Sequence, residues 1–278
     1  MNDFDTLTFA EHVRSTRDSL DPMASALAFA REIAYPTLAP SAWLEELQRL
    51  ADGARPAVGL ASNTRGKVEA LNDYVFNQLG FRGNSEDYYN PANSYINEVL
   101  TRRTGIPISL SLIYVDVARR LGLPAKGIGL PGHFIAGVRN AGKRILVDTF
   151  NGGKILSEAD CEALVRRLTS YSGPFQPRWL EPTPVREIIA RMLNNLRNVY
   201  AEREAWAECI AVVRCLHALQ PESIEHTRDL GLLFYRGGRL RDSITQLEKY
   251  LTKKPNASDF DQVKSSLGKM IDQVARLN

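Results

Sequence analysis

From residue 190 to residue 257 the sequence repeats itself with a period of 34. Leu196 and Leu230 stand at this separation, as do Tyr200 and Phe234, Cys209 and Ser243, Val213 and Leu247, and Pro221 and Pro255. The matched positions run large apolar, aromatic, small, apolar, proline. Few folds satisfy such a period: each unit is a pair of helices that cannot bury its apolar stripe alone, so neighbouring pairs must stack. The small residue lets two helices approach closely, and the proline ends the second helix because it has no N–H to continue it. The units are read as residues 190–223 and 224–257. Phe260, Val263, Leu267, Met270, Ile271 and Val274 then share one helical stripe, which predicts a helix capping the stack.

Upstream, residues 1–80 read as helices. Ala26, Leu27, Ala30 and Ile33, then Trp43, Leu44, Leu47 and Leu50, recur at helical spacing, with breaks at Tyr35-Pro36 and Pro40 and with Ser41 as a candidate N-cap. Val68, Leu71, Val75 and Leu79 predict a helix over Lys67–Leu79 that stops at Gly80. A polar, turn-rich segment, GFRGNSEDYYNPANSY, leads to a short helix over Ser94–Thr101 and a break at Gly105. Pro107 suits the first turn of the next helix, where its missing N–H would be unpaired anyway. That helix, ISLSLIYVDVARRLG, is apolar nearly all round and belongs at the centre of a domain. After Gly122 the period changes to two: AKGIG, HFIAGVR and RILVDTF are strand-like, the last two joined at Asn140-Ala141-Gly142. Residues Ser157–Leu168 return to helix. Helices, antiparallel strands and a further helix make an α+β domain over residues 1–170. The proline-rich stretch 171–186 reads as a linker, and residues 187–278 form an all-α domain.

Composition narrows the function. No apolar run approaches the roughly 20 residues that span a bilayer, and MNDFDTLTFAEHVRS is acidic where a signal peptide is cationic and then apolar. The cytoplasm is expected, with no membrane association. The 35 basic residues are offset by 32 acidic ones, and the doublets Arg102–Arg103, Arg119–Arg120 and Arg166–Arg167 never join into a longer run. A dedicated nucleic-acid module is not expected, although a folded surface can gather a patch. Cys161, Cys209 and Cys215 have neither disulfide nor metal-clip spacing, and the four histidines lack zinc spacing. No metal or other cofactor is expected. Gly127, Gly129 and Gly132 spell G-x-G-x-x-G, but Pro131 removes a donor and a strand follows where a dinucleotide site needs a helix.

The segment RTGIPISLSLIYVDVARRLGLPAK resembles the transglutaminase-like core pattern at Gly105, Arg119, Gly122, Leu123, Pro124, Ala125 and Lys126. PGHFIAGV is similar to that fold's histidine strand and ILVDTFNGG to its aspartate strand. The resemblance implies a papain-like α/β core, and the 34-residue units resemble tetratricopeptide repeats. With NSYINEVL, GIPISLSL, PGHF and DTFNGG, the whole chain is identified as a member of a bacterial family that joins these two parts, whose members are often described as regulators of sirC expression.

In active transglutaminase-like enzymes a thiolate at the amino end of the buried helix attacks a carbonyl, a histidine moves the proton and an aspartate orients the imidazole. The resemblance carries the histidine to His133 and the aspartate to Asp148, but the cysteine position falls on Pro107, which has no nucleophile. A hairpin loop of two or four residues would set His133 directly opposite Asp148, and one of three would put them on different faces. Ser109 and Ser111 are candidate substitute nucleophiles, against the alternative of packing or capping. Asn93, Asn97, Glu98 and Asn151 are expected to line the cleft, against capping and turn roles. The expected function is that of a non-catalytic, regulatory protein that holds a protein or peptide partner on its helical repeats, unless these dock on its own N-terminal part. The alternative is a hydrolase or acyltransferase using the His133–Asp148 dyad with a serine or water.

Overall fold

The computed structural model describes residues 3–16 and 19–277. Helices α1 (Phe9–Ser15), α2 (Pro22–Ile33), α3 (Pro40–Leu60) and α4 (Thr64–Asn72) come first. Asp21 caps α2 by accepting the Ala24 N–H, and Pro22 fills its first turn. α3 begins at Pro40, and Ser41 is not its cap. It lies in the first turn, and its N–H and hydroxyl donate to Asp5 at 2.8 and 2.6 Å. The helix expected to reach Leu79 changes register, because α4 runs into a wider π-helical turn over Asp73–Gln78.

Two-residue strands β1 (Arg82–Gly83) and β2 (Thr104–Gly105) pair in parallel on either side of α5 (Ile96–Arg102). α6 (Pro107–Arg120) follows, and its burial from Pro107 through Val115 matches its apolar circumference. An antiparallel sheet comes next, with β3 (Ala125–Leu130), β4 (His133–Asn140), β5 (Lys143–Asp148) and β6 (Lys154–Leu156) adjacent in chain order. β4 and β5 are joined by Ala141 and Gly142 with φ of 46° and 82°, the two left-handed residues that match strand twist.

The two faces of the sheet are covered differently. Phe134, Ala136, Val138, Ile145 and Val147 join the core that encloses α6. Ile128, Leu130, Ile135 and Leu146 pack with Cys161 of α7 (Glu158–Leu168) and with Leu180, Tyr171, Phe175 and Trp179. The proline-rich stretch therefore lies against the sheet. Thr183 N–H donates to Gly127 O at 2.9 Å and its hydroxyl accepts Gly129 N–H at 2.8 Å, which occupies the open edge of β3.

The remaining helices are α8 (Val185–Glu202), α9 (Trp206–Leu219), α10 (Glu225–Arg236), α11 (Leu240–Lys253) and α12 (Phe260–Leu277). The 34-residue period is visible in the bonds. Cys209 Sγ donates to Arg197 O at 3.7 Å, and Ser243 Oγ donates to Gly231 O at 2.7 Å, both partners being displaced by one repeat. The turn inside each pair needs a left-handed residue, supplied by Gly238 (φ 74°) in the second pair and by Glu204 (φ 54°) in the first. Glu204→Gly removes the Cβ clash of that conformation and should stabilise the chain by about 1 kcal/mol, read as a higher urea midpoint at unchanged slope.

The first pair does not stand apart from the α+β part. Ile188, Ile189, Met192, Leu193, Leu196, Cys215 and Leu216 share one continuous apolar cluster with Phe9, Met23 and Phe29. Within it the hydroxyls of Tyr95 and Tyr200 bond to each other at 2.8 Å. The second pair and α12 have smaller cores of their own, around Leu230 and Phe234 and around Leu247, Tyr250 and Val263. Among the described residues no helix is long and apolar enough to cross a membrane.

Candidate functional site

His133 opens β4 and Asp148 closes β5. They are not directly opposite. The turn at Ala141-Gly142 pairs Asn140 with Lys143 and Ala136 with Val147, so Asp148 comes level with Ile135, two residues from His133. The turn sits one residue later than direct opposition requires. Diagonal neighbours remain within reach of a long side chain, and His133 Nε2 lies 3.0 Å from Asp148 Oδ1. Both residues are buried, 4% and 1% exposed, so the bond is shielded from water.

Asp148 gathers further donors from the turn that follows it. Its Oδ1 accepts N–H from Phe150 (3.2 Å) and Asn151 (3.3 Å), and its Oδ2 accepts Asn151 Nδ2 at 2.7 Å. Burial acts to raise its pKa, but the hydrogen bond and charge of His133 and the bonds from Asn151 outweigh it and hold the carboxyl below the usual range. An ionised carboxylate only accepts, so Nε2 carries the shared proton. Among the described residues Nδ1 has no hydrogen-bond partner.

Aromatic residues cover the pair. Phe150 meets the His133 ring edge-on at 6.2 Å, and Tyr88 meets Phe150 at 6.0 Å. From α8, Arg191 donates to His133 O at 2.7 Å and to Leu130 O at 3.1 Å, clasping the β3–β4 hairpin. Sequence reasoning missed Arg191, because nothing in a sequence signals a contact 58 residues away. Phe150 had one available signal, its place directly after Asp148-Thr149.

The other expected residues have different partners. Ser109 is fully buried. Its hydroxyl lies 2.6 Å from Asn93 O and 3.1 Å from Ile106 O and accepts Ile106 N–H, which fixes the start of α6. Ser111 shares a hydrogen bond with Thr149 Oγ1 at 2.7 Å and lies 3.2 Å from Phe134 O. Neither serine bonds to His133 among the described residues. Asn93 donates to Asp87 O and Tyr88 O and accepts Asn84 Nδ2, bracing the loop that carries Tyr88. Glu98 lies near enough to the Tyr35 hydroxyl to add to burial in raising its pKa, beside the aromatic group of Tyr35, Tyr95 and Tyr200. Asn97 is buried with Oδ1 unpartnered and makes no side-chain bond to the dyad. Of the predicted set, Asn151 alone bonds to it.

No thiol takes the place of the missing cysteine. Pro107 is buried in the first turn of α6. Cys161 is close enough to Asp148 to feel its charge, but burial first, then Asp160 and Asp148, pushes its thiol up to about 12, so it is uncharged near neutrality. Cys209 and Cys215 lie in α9 with thiols likewise raised by burial. A concavity of about 360 Å³ borders Asp148, with Asn151, Lys154, Asp160 and Arg167 around it. Among the described residues no group of three or more His, Cys, Asp or Glu side chains is placed to hold a metal ion.

Comparison with known proteins agrees with this architecture. The family model described as transglutaminase-like superfamily matches residues 41–194, and that described as tetratricopeptide repeat matches residues 196–268. A UPF0162 protein of Xylella fastidiosa strain Temecula1 is 35% identical over 256 residues, covering 90% of each chain. A UPF0162 protein of Vibrio cholerae is 26% identical over 254 residues, covering 90% of this chain and 92% of that one. F-box only protein 21 of Mus musculus is 38% identical over 137 residues, which is 46% of this chain and 21% of that protein.

Proposed function

The chain belongs to the transglutaminase-like superfamily and continues into tetratricopeptide repeats, and we propose that it is a cytoplasmic regulatory protein that binds other proteins and performs no cysteine-based acyl transfer. The observation that carries this reading is Pro107. A ring-locked residue with no nucleophilic atom stands at the helix end where the family pattern places sulfur, and the nearby Ser109 and Ser111 hydroxyls are bonded elsewhere. A serine attacks only when a base holds its proton, and no serine bonds to His133 among the described residues. The His133–Asp148 pair then serves to lock β4 to β5. The hydrolase reading keeps one observation, the unpartnered Nδ1.

The binding surface of this reading lies between α9, α10 and α12. Leu232, Tyr235 and Ile271 are 39%, 42% and 44% exposed, and the first two border a concavity of about 410 Å³ with Trp206, Arg236 and Lys269. Apolar floor and basic rim suit an amphipathic segment with acidic flanks. A photo-crosslinking residue at position 269 should give one discrete adduct in cells, reduced about tenfold or more by the pair Leu232→Glu and Tyr235→Glu. Absence of an adduct, or one indifferent to that pair, rejects the reading.

A further inference from the structure

Basic residues that are scattered in the sequence meet at one end of the sheet. Lys126 pairs with Gly137 across β3–β4, and Arg139 pairs with Arg144 across β4–β5. Since alternate residues share a face, Lys126, Arg139 and Arg144 all project from the same side. Arg119 joins them from the last turn of α6, and the four surround a concavity of about 260 Å³ floored by Gly137.

This arrangement repels itself. Like charges directly opposite on neighbouring strands destabilise a sheet, and Arg139 and Arg144 are such a pair. Arg144 has one acid, Glu181 at 2.8 Å, itself 63% exposed. The side chains of Arg119, Lys126 and Arg139 make no hydrogen bond or ion pair among the described residues. The carboxyl end of α6 offsets part of the charge, but two of its carbonyls already accept Gly122 N–H and Leu123 N–H. A local violation of this kind, only partly compensated by Glu181 and the Leu180 carbonyl at Arg144, marks a position kept for something other than stability.

We propose that this concavity binds a compact phosphorylated small molecule bearing at least two negative charges, of the size of a diphosphate group. Its volume falls below the ~300–1,000 Å³ usual for drug-sized ligands, so the anionic group itself fills it. Guanidinium forks match phosphate oxygens in pairs. A nucleic-acid backbone needs a basic stripe continuing beyond one concavity, and the chain as a whole carries a formal charge of only +3. The site is separate from the dyad, and the proposal does not depend on what the dyad does.

Titration calorimetry of the full-length protein with inorganic pyrophosphate at low salt, where ionic attraction is least screened, tests it. One site per chain is expected, with a rise in Tm on saturation. Arg139→Gln should weaken binding about tenfold or more, and without ligand its Tm should equal or exceed that of the parent because the cross-strand repulsion is gone. Lys126→Gln provides a second variant on a different strand, with the same loss expected. Arg55→Gln, on α3 and outside the concavity, should bind as the parent does. No heat of binding, undiminished binding in both Arg139→Gln and Lys126→Gln, or an equal loss in Arg55→Gln overturns the proposal.

Discussion

A chain ending at Pro182 will not unfold cooperatively, although it contains all six strands and the His133–Asp148 pair. It lacks α8 and α9, and with them Ile188, Ile189, Met192, Leu193, Leu196 and Leu216, each 3% exposed or less in the shared core. Burial of one large aliphatic side chain contributes roughly 1.5–3 kcal/mol. Six such losses rival or exceed the ~5–15 kcal/mol by which an entire domain is stable. A chain ending at Glu222 keeps all six and loses only α10–α12, which uncovers Ile210 and Val213. It should retain one urea transition, at a lower midpoint. Circular dichroism across a urea series separates the two truncated chains, and a full-amplitude transition from residues 1–182 would disprove the continuity of the core.

Replacing Asp148 by Ala should cost about 3 kcal/mol, because a buried imidazole and the Asn151 amide lose their acceptor together. The loss should depend on pH in a defined direction. The folded state holds the Asp148 carboxyl below its usual range, whereas an unfolded aspartate titrates near ~3.9. Its contribution is therefore complete above the unfolded value and disappears as pH falls through the folded one. Parent and variant midpoints should differ most between about pH 5 and 7, and the gap should begin to narrow only below about pH 4, closing as pH falls through the folded value. A gap that stayed constant down to about pH 3 would mean that the charge of Asp148 contributes nothing and that the loss is one of packing.

The parts of the fold that were legible came from local chemistry. α6 was announced by Pro107 and an apolar run without a stripe, the strands by their change of period, and the helix pairs by their 34-residue spacing. The register of β4 and β5 was not legible. Asn140, Ala141 and Gly142 offer two adjacent placements for a two-residue turn, and the structure uses Ala141-Gly142, with alanine in a conformation that asparagine favours more. β6 is three residues long, too short to show a period. The prolines of residues 171–186 signalled the end of helix α7 but not the hydrogen bonds that hold Thr183 against β3. At the site, His133 and Asp148 came with the family resemblance. The roles of Ser109 and Asn93 depend on backbone carbonyls brought near by folding, which side-chain chemistry alone does not reveal.

The bond between the Tyr95 and Tyr200 hydroxyls has a consequence for how such a chain can change over evolutionary time. The end of the helical array that holds Tyr200 is already committed to the rest of the molecule, so no extra helix pair can be inserted there without exposing raw apolar surface on both sides. Between α11 and α12 an insertion would part only the smaller core around Leu247, Tyr250 and Val263. Transplanted to a foreign scaffold, α8 and α9 would behave as half of a broken interior and not as a portable unit.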